Sequence, residues 1–234
     1  MKIIARIHTN FKEKFGIPRQ SGIAEGVLGR IVFEPEYRVP EALRGIEGYS
    51  HLWLIWQFSE AERDTWSPTV RPPRLGGNKR MGVFATRSPY RPNPIGLSSV
   101  RLVGVEKTES YGSVLVVSGV DMLDGTPIYD IKPYLAFTDS HADATGGFAD
   151  GVRDYAVDVD FPAPLLEKIP ECDREAVMTL LSHDPRPSYK GDGERIYGMI
   201  YGEREIFFRA EDGRLTVTDV RDSNSSDAHA RDKI

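Results

Sequence analysis

Short segments dominated by apolar residues, separated by polar turns, follow one another through the first 160 residues. They are rich in β-branched and aromatic side chains and are bounded by Gly, Pro and Asp, the pattern of strands separated by turns. Only short helical pieces fit between them, which argues against a doubly wound parallel sheet and predicts a mostly antiparallel barrel or strongly curved sheet. The predicted strands are residues 3–8, 24–33, 51–58, 81–85, 97–105, 114–120 and 156–161.

A second unit of different character begins near Pro162. Residues 165–182 carry apolar side chains at a helical spacing that Pro170 interrupts. Beyond them we predict a meander of strands at residues 195–200, 205–210 and 215–220. The predicted fold class is therefore mostly β, with an antiparallel β-barrel-like domain over residues 1–160, a smaller α+β domain over residues 161–220 and a polar, disordered tail over residues 221–234. The segment 139–151 is predicted to be a mobile loop.

The bulk composition narrows the class of protein. With 234 residues and 40% hydrophobic content, the chain can bury one substantial core and a smaller one. A single cysteine, Cys172, excludes an internal disulfide framework, and no Cys/His cluster has zinc-ligand spacing, so no metal site is predicted. Charged residues interrupt the apolar run near the N-terminus, so we expect neither a signal peptide nor a membrane span. We therefore expect a cytoplasmic protein.

Positive charge is concentrated in one part of an otherwise acidic chain. Between Thr65 and Val105 there are seven basic side chains and no Asp or Glu, although the net charge of the protein is −5. A solvated basic surface is the ordinary explanation of a charge run, but solvated surfaces mix the two signs. Unmixed charge repels itself unless an anion is bound, so we expect an anionic partner at this face. The basic residues are Arg71, Arg74, Lys79, Arg80, Arg87, Arg91 and Arg101.

A proline-rich loop lies within this basic stretch. Pro89, Pro92 and Pro94 fix the backbone around Arg87 and Arg91. A rigid loop that carries arginines is typical of a pre-organised binding site.

A polar segment follows the apolar run that ends at Val120. Its Asp-Gly-Thr-Pro sequence, residues 124–127, predicts a turn at a strand end, where a small polar ligand can be held. By itself this sequence is more often a simple turn. Beyond it, strand alternation places Asp130, Lys132 and Tyr134 on one face, which makes them candidate acid-base residues.

Two further elements have ordinary alternatives. His51 begins a buried apolar strand, where a lone histidine is more often structural than catalytic. Arg19 and Gln20, in the loop of residues 15–21, could equally be surface residues.

Taken in order, these motifs resemble one family. The sequence runs through FGIPRQ at residues 15–20, SHLW at 50–53, RPPRLGGN at 71–78, GVFATRSPYRPNPIGLS at 82–98 and LDGTPIYDIKPY at 123–134. This order is similar to that of the TsaA/YaeB (TrmO-like) family of tRNA methyltransferases, and the resemblance extends, more thinly, to the DPRPSY sequence at residues 184–189.

The resemblance implies an S-adenosylmethionine-dependent β-barrel enzyme that acts as a homodimer. Its substrate would be the exocyclic nitrogen of threonylcarbamoyl-adenosine beside the anticodon of tRNA. The residues agree independently, because no strand-GxGxxG-helix fingerprint occurs and the one GxG, at residues 191–193, leads into a predicted strand.

The candidate site residues rest partly on the residues themselves and partly on the resemblance, which supplies the cofactor site but leaves open which residue acts as the base. The expected catalytic residues are Asp130, Lys132 and Tyr134, with His51 as a further candidate for the base. The expected RNA contacts are the basic residues Arg71, Arg74, Lys79, Arg80 and Arg91. The implied S-adenosylmethionine site comprises Pro18, Arg19, Gln20, His51, Leu52, Arg87, Leu97, Leu123, Asp124, Gly125 and Thr126.

Two other classes of function stay open at this point. A noncatalytic RNA-binding barrel explains the basic stretch equally well but gives no role to residues 123–134. A metal-independent RNA hydrolase would use His51 and Lys132. Binding of S-adenosylmethionine separates the methyltransferase from both, since neither alternative requires it.

Overall fold

The computed structural model describes residues 1–61, 65–72, 79–152, 155–186, 195–211 and 213–224. Its strands, in chain order, are β1 (Ala5–Thr9), β2 (Leu28–Phe33), β3 (His51–Gln57), β4 (Thr69–Val70), β5 (Met81–Gly82), β6 (Ile95–Thr108), β7 (Gly112–Ser118), β8 (Thr126–Pro133), β9 (Asp158–Asp160), β10 (Tyr197–Tyr201), β11 (Arg204–Glu211) and β12 (Arg214–Asp222). The α-helices are α1 (Ala136–Asp139), α2 (Ala163–Leu166) and α3 (Glu171–Ser182).

Six of these strands close an antiparallel barrel in the order β1-β2-β7-β6-β3-β8. Strict alternation of burial along β1 and β3 turns one set of side chains into the barrel and the other toward its surface. Ile7, Leu52, Leu54 and Ile128 are fully buried in this interior. The mostly β fold with an antiparallel barrel is therefore confirmed, and the barrel removes the exposed sheet edges that an open sheet would leave.

The C-terminal region is a second sheet with a helix. The order β10-β11-β12-β9 is antiparallel except for β9, which pairs in parallel with β12. The helix α3 buries Val177, Leu180 and Leu181, the apolar positions that predicted it. Pro170 is the residue before its first turn, which accounts for the break in the helical pattern.

The segment between β1 and β2 joins the two units. The ring of Phe11 lies edge-on to Tyr201 at 5.5 Å between centroids, and Phe15 stacks on Tyr197 at 6.3 Å. At Gly26 a Cβ atom would lie 3.3 Å from the backbone nitrogen of Ala176. This packing holds the intervening loop, residues 18–22, between the barrel and α3.

Several predicted elements differ from the observed ones. The strand expected at 24–33 begins only at Leu28, and that expected at 81–85 ends at Gly82 because a 3₁₀ helix follows at Val83–Ala85. The strand expected at 156–161 is shorter and belongs to the C-terminal sheet.

The loop expected at 139–151 contains a 3₁₀ helix, Gly147–Val152. Strand β12 continues through Asp222, so the expected tail begins inside a strand; residues 225–234 of that tail lie outside the described part of the chain. The domain boundary at residue 160 stays a prediction.

Candidate functional site

Three loops converge at one end of the barrel. The loop before β2 contacts the one after β7, where the amide of Gly22 donates to the carbonyl of Gly119 over 2.9 Å. The proline-braced loop before β6 reaches the same place, because the guanidinium of Arg87 donates to Oε1 of Gln20. The structure thus brings together two residues that are 67 positions apart and that the family resemblance assigned to one site.

A buried polar chain leads from the barrel interior to this end. The indole of Trp56 donates to Oγ of Ser98 over 2.9 Å, and that hydroxyl donates to Oδ1 of Asp121 over 2.7 Å. Burial raises the pKa of Asp121 to about 6, while the Ser98 hydrogen bond and the positive charge of Arg87 act in the opposite direction. Asp121 is therefore a carboxylate that takes up a proton at about pH 6, beside a permanent cation.

Sequence reasoning did not assign Asp121 to the site. Its signal was its position directly after the buried run that ends at Val120, where a carboxylate is costly unless it is hydrogen-bonded. We name Gln20, Arg87, Ser98 and Asp121, together with residues 123–126, the barrel-end group.

The turn at residues 123–126 is well ordered by its own hydrogen bonds. Gly125 has φ of +77°, which glycine adopts without strain. The hydroxyl of Thr126 donates to the carbonyl of Leu123 over 2.7 Å. The backbone amide of Gly125 donates to the carbonyl of Ile7 over 2.8 Å, which ties the turn to β1.

Asp124 in this turn is engaged by neighbouring side chains. Its carboxylate accepts from Nζ of Lys12 over 2.7 Å and from the amide of Thr9 over 3.1 Å, and it lies 3.2 Å from Nδ1 of His8. Partial burial acts to raise the pKa of Asp124, but these hydrogen bonds and the charges of Lys12 and His8 outweigh it and lower the pKa. Asp124 therefore links the turn to His8 and Thr9 of β1 and to Lys12, which follows that strand.

Arg19 contacts the C-terminal unit. Its guanidinium donates to the carbonyl of Arg186 over 3.0 Å. Arg186 in turn forms an ion pair with Asp184 at 2.8 Å, and Asp184 also accepts from the hydroxyl of Tyr155 over 3.0 Å. Pro18 and Arg19 thus line a cleft against the end of α3, and the C-terminal unit fixes one flank of the expected cofactor loop.

The other expected site residues lie on the outer face of the barrel. Strand register aligns Leu97 of β6 with Ile55 of β3, and Ile55 with Asp130 of β8. The neighbouring rows place Trp53 beside Lys132, and His51 beside Arg101. We name Leu97, His51, Asp130, Lys132 and Tyr134 the outer-face group.

Contacts within the outer-face group match the predicted alternation. Nζ of Lys132 lies 2.9 Å from Oδ2 of Asp130, so both side chains project from the same face of β8. The ring of Tyr134 lies 6.1 Å from that of His51 and 5.5 Å from that of Trp53, between centroids. The side chain of Leu52 is fully buried in the barrel, so it can meet a ligand only through its backbone.

The structure thus divides the expected cofactor residues. One set lies in or beside the barrel-end group, and the other, with His51 and Leu97, lies on the outer face. Leu97 immediately precedes Ser98 on β6, whereas His51 lies three positions along β3 from Leu54, the strand partner of Ser98, or about 10 Å away.

The basic residues expected to contact RNA surround a small ribbon. Strands β4 and β5 pair through Thr69 with Gly82 and Val70 with Met81. Arg71, Lys79 and Arg80 flank the ribbon and are exposed, and the guanidinium of Arg80 donates to Oγ1 of Thr69 over 3.1 Å. Arg91 lies in the proline-braced loop, where it donates weakly to the carbonyl of Thr86 over 3.5 Å. Arg74 lies outside the described residues.

The described residues contain neither a metal-binding cluster nor a membrane-spanning helix. No group of three or more His, Cys, Asp or Glu side chains in the described part of the chain is arranged to hold a metal ion. No helix among the described residues is long and apolar enough to cross a membrane.

The structure combines a closed antiparallel barrel, a polar site at its end and a small α+β unit. This architecture defines a class of two-part β-barrel proteins that is distinct from the Rossmann fold. The comparisons with known proteins agree. Residues 6–140 match the family model described as the tRNA-methyltransferase O N-terminal domain, and residues 154–223 match the TrmO C-terminal domain. The chain belongs to the tRNA-methyltransferase O family, so the family and enzyme class expected from the motifs are confirmed.

Similar proteins cover nearly the whole chain. The tRNA (adenine(37)-N6)-methyltransferase of Escherichia coli K12 is 37% identical, with 92% of this chain and 94% of that protein aligned. A protein of Pseudomonas aeruginosa described as a putative S-adenosylmethionine-dependent methyltransferase, RcsF, is 42% identical over 84% of this chain and 86% of its own length. The crystal structure of TrmO from Pseudomonas aeruginosa superposes with a TM-score of 0.74 at 34% identity, covering 94% of this chain and 97% of that one.

Proposed function

We propose that this protein transfers a methyl group from S-adenosylmethionine to the exocyclic N6 of adenosine 37 of a tRNA, and that the substrate nucleoside is threonylcarbamoyl-adenosine. The observation that carries the proposal is the similarity of both units of the chain to a tRNA (adenine(37)-N6)-methyltransferase. The threonylcarbamoyl group is inferred from the family resemblance alone, so the experiment below tests it separately.

The barrel-end group fits the charges of the cofactor. Arg87 offers a guanidinium for the carboxylate of the methionine part, and Asp121 offers a partly buried carboxylate for a positively charged part. Gln20 holds the guanidinium in place and adds an amide for hydrogen bonding. The cofactor, when bound, supplies an electrophilic methyl group.

The side chains of the outer-face group suit the proton that must leave N6. In the proposed substrate this nitrogen lies between a purine ring and a carbonyl, so its lone pair is delocalised and its proton leaves during or before attack. Asp130, His51 and Tyr134 are the candidate bases, and Lys132 can stabilise negative charge on the carbonyl. Placement of the nitrogen about 3 Å from the methyl carbon would supply most of the rate acceleration.

A symmetric homodimer would bring the two groups together. The outer-face group of one protomer would then complete the barrel-end group of its partner, which explains why the expected cofactor residues are divided within a single chain. The dimer is inferred from the family resemblance and from this division.

The decisive experiment combines two measurements. Nucleosides of tRNA from cells with and without this protein are compared by mass spectrometry, and the purified protein is assayed for methyl transfer to tRNA with and without the threonylcarbamoyl group. We expect an N6-methylated threonylcarbamoyl-adenosine that disappears with the gene, and transfer to the modified tRNA only. Equal transfer to both tRNAs would refute the nucleoside assignment, and RNA binding or cleavage without any methyl transfer would refute the enzyme assignment.

Substitution of Arg87 tests the cofactor site. Arg87→Ala removes a charge-assisted contact worth about 1.5 to 3 kcal/mol and should weaken S-adenosylmethionine binding about tenfold or more in a calorimetric titration. Because Arg87 is exposed, the fold should be retained. Arg91→Ala is the matched control, since it removes an arginine from the same proline-braced loop; unchanged cofactor affinity in Arg87→Ala would contradict the assignment.

A further inference from the structure

The ribbon of β4 and β5 carries an exposed aromatic pair. Trp66 is 52% exposed and Phe84 is 73% exposed, and their ring centroids lie 6.1 Å apart with an angle of 32° between the planes. Large aromatic side chains are usually well buried, so two adjacent exposed rings mark a surface with a binding role. Neither residue belongs to the barrel-end group or to the outer-face group.

Local structure accounts for the display of Phe84. It lies in the 3₁₀ helix Val83–Ala85, in which Val83 is only 1% exposed. The hydroxyl of Thr86 donates to the carbonyl of Val83 over 2.9 Å, and the amide of Val83 donates to the carbonyl of Pro68 over 2.9 Å. With three residues per turn, anchoring of Val83 and Thr86 on the inner side turns Phe84 outward.

The charge around the pair identifies the kind of partner. Arg71, Lys79 and Arg80 are exposed on the same ribbon and its flanks, and no Asp or Glu occurs between residues 65 and 105. An apolar protein surface would not require this positive surround, whereas a nucleic acid offers anionic phosphates next to flat bases. Paired bases hide their flat faces inside the helix, so stacking on an exposed side chain requires bases that are unpaired.

We propose that Trp66 and Phe84 form a stacking platform for an unpaired base of the tRNA anticodon loop, while the neighbouring basic side chains hold the phosphates. The inference rests on the proposed function, since it takes tRNA as the substrate. It adds that recognition includes an uncharged, stacking component on the β4–β5 ribbon, beside the loop that carries Arg87.

The first test measures binding of an anticodon stem-loop by fluorescence anisotropy over a range of salt concentrations. Phe84→Ala and Trp66→Ala should each weaken binding about tenfold, the usual effect of losing one base-aromatic stack. The slope of affinity against salt should stay that of the wild type, because no charge is removed. Trp66→Tyr and Phe84→Tyr, which keep a ring, should restore most of the affinity.

Two controls separate stacking from other effects. Tyr111→Ala removes an aromatic side chain that is 48% exposed in the turn between β6 and β7, at the opposite end of β6 from the ribbon's loop, and should leave binding unchanged. A fully paired RNA duplex of the same length should bind the wild type and both alanine variants equally.

Tryptophan fluorescence gives an independent measurement. The chain has three tryptophans, and Trp66 is the most exposed of them, since Trp56 is 5% exposed and Trp53 is half-buried. Binding of the stem-loop should quench the emission of the wild type, and Trp66→Phe should remove most of that quenching.

The outcomes distinguish failure of the inference from failure of the proposed function. A wild type that does not bind the stem-loop at low salt overturns both. A wild type that binds it, together with alanine variants that bind equally well, overturns the platform and leaves the function standing. Loss of dimer mass in the alanine variants, with RNA affinity retained, would show that the pair is a contact between copies of the chain and would also overturn the platform.

Discussion

At the scale of single residues, the titration of Asp121 has a consequence for stability. Its pKa in the folded protein is raised from 3.8 to about 6, chiefly by burial. Between about pH 4 and pH 6 the native state therefore binds more protons at this site than the unfolded state, so this site contributes a loss of stability as the pH rises through that window. Above pH 6 the penalty is complete and amounts to at most about 3 kcal/mol.

Asp121→Asn should remove this penalty. The amide retains a hydrogen-bonding partner for Ser98 but cannot ionise, so the variant should gain stability relative to the wild type as the pH rises from 4 to 7. Urea unfolding at several pH values measures the difference. Asp143→Asn controls for the loss of one negative charge at an exposed position, and a difference for Asp121→Asn that is constant from pH 4 to 7 would contradict the assignment.

The partners of Asp121 show what sequence reasoning can reach at this scale. That a carboxylate directly after a buried strand needs a partner follows from the sequence. That the partner is Ser98, 23 residues earlier on another strand and itself bonded to Trp56, depends on the closure of the barrel. Asp124, which the sequence singled out, proves to be bonded to Lys12, a residue 112 positions away.

At the scale of elements, the alternation of side chains predicted the face of a strand on which a residue lies better than it predicted where the strands end. The period of two along β8 correctly put Asp130 and Lys132 on the same face. The strand predicted at 81–85 ends at Gly82, because the side chain of Val83 is buried in the core and the chain turns there. Side-chain periodicity is a local property, whereas the end of a strand depends on packing against distant residues.

Gly96 is a close-packing position within β6. A Cβ atom there would lie 2.2 Å from Cε2 of Trp56. Gly96→Ala should therefore displace the indole and destabilise the protein by about 1 to 3 kcal/mol in urea unfolding. It should also weaken cofactor binding, since Trp56 supports the hydrogen bond chain to Asp121.

The same strand provides a matched control for that substitution. At Gly104 a Cβ atom would meet nothing within 4 Å, so Gly104→Ala should change the stability by no more than about 1 kcal/mol. Equal effects of the two substitutions would show that the contact with Trp56 is not what requires glycine at position 96.

At the scale of the whole molecule, the two-part architecture was accessible from the sequence, but the arrangement of the site was not. Composition and periodicity predicted a β-rich first unit and an α+β second one. They did not predict that Phe15 would stack on Tyr197, or that Arg19 would bond to Arg186 of the second unit. These contacts join residues more than 160 positions apart, and no local pattern encodes them.

The uneven charge of the molecule makes a prediction about salt. The double substitution of Lys79 and Arg80 by Ala should weaken tRNA binding for all sequences and reduce the salt slope by about one phosphate contact per charge. Cofactor affinity should stay unchanged. Replacing Lys2 and Arg209, exposed basic residues outside the basic stretch, is the control; normal tRNA binding by the Lys79/Arg80 variant at every salt concentration would leave the stretch as a solvated surface.

Because the expected cofactor residues are divided between two groups, the final prediction concerns assembly of the chain into a dimer. Leu97 is 58% exposed on the outer face, in the same row as Ile55 and Asp130. If this face docks on a second copy, Leu97→Arg places an unpaired charge in the contact, which is costly to desolvate. Light scattering at micromolar concentration should then give a dimer for the wild type and a monomer for Leu97→Arg, with loss of cofactor affinity in the monomer. Leu28→Arg, at a 52% exposed position on β2, should remain dimeric, and a wild type of monomer mass would refute a shared site.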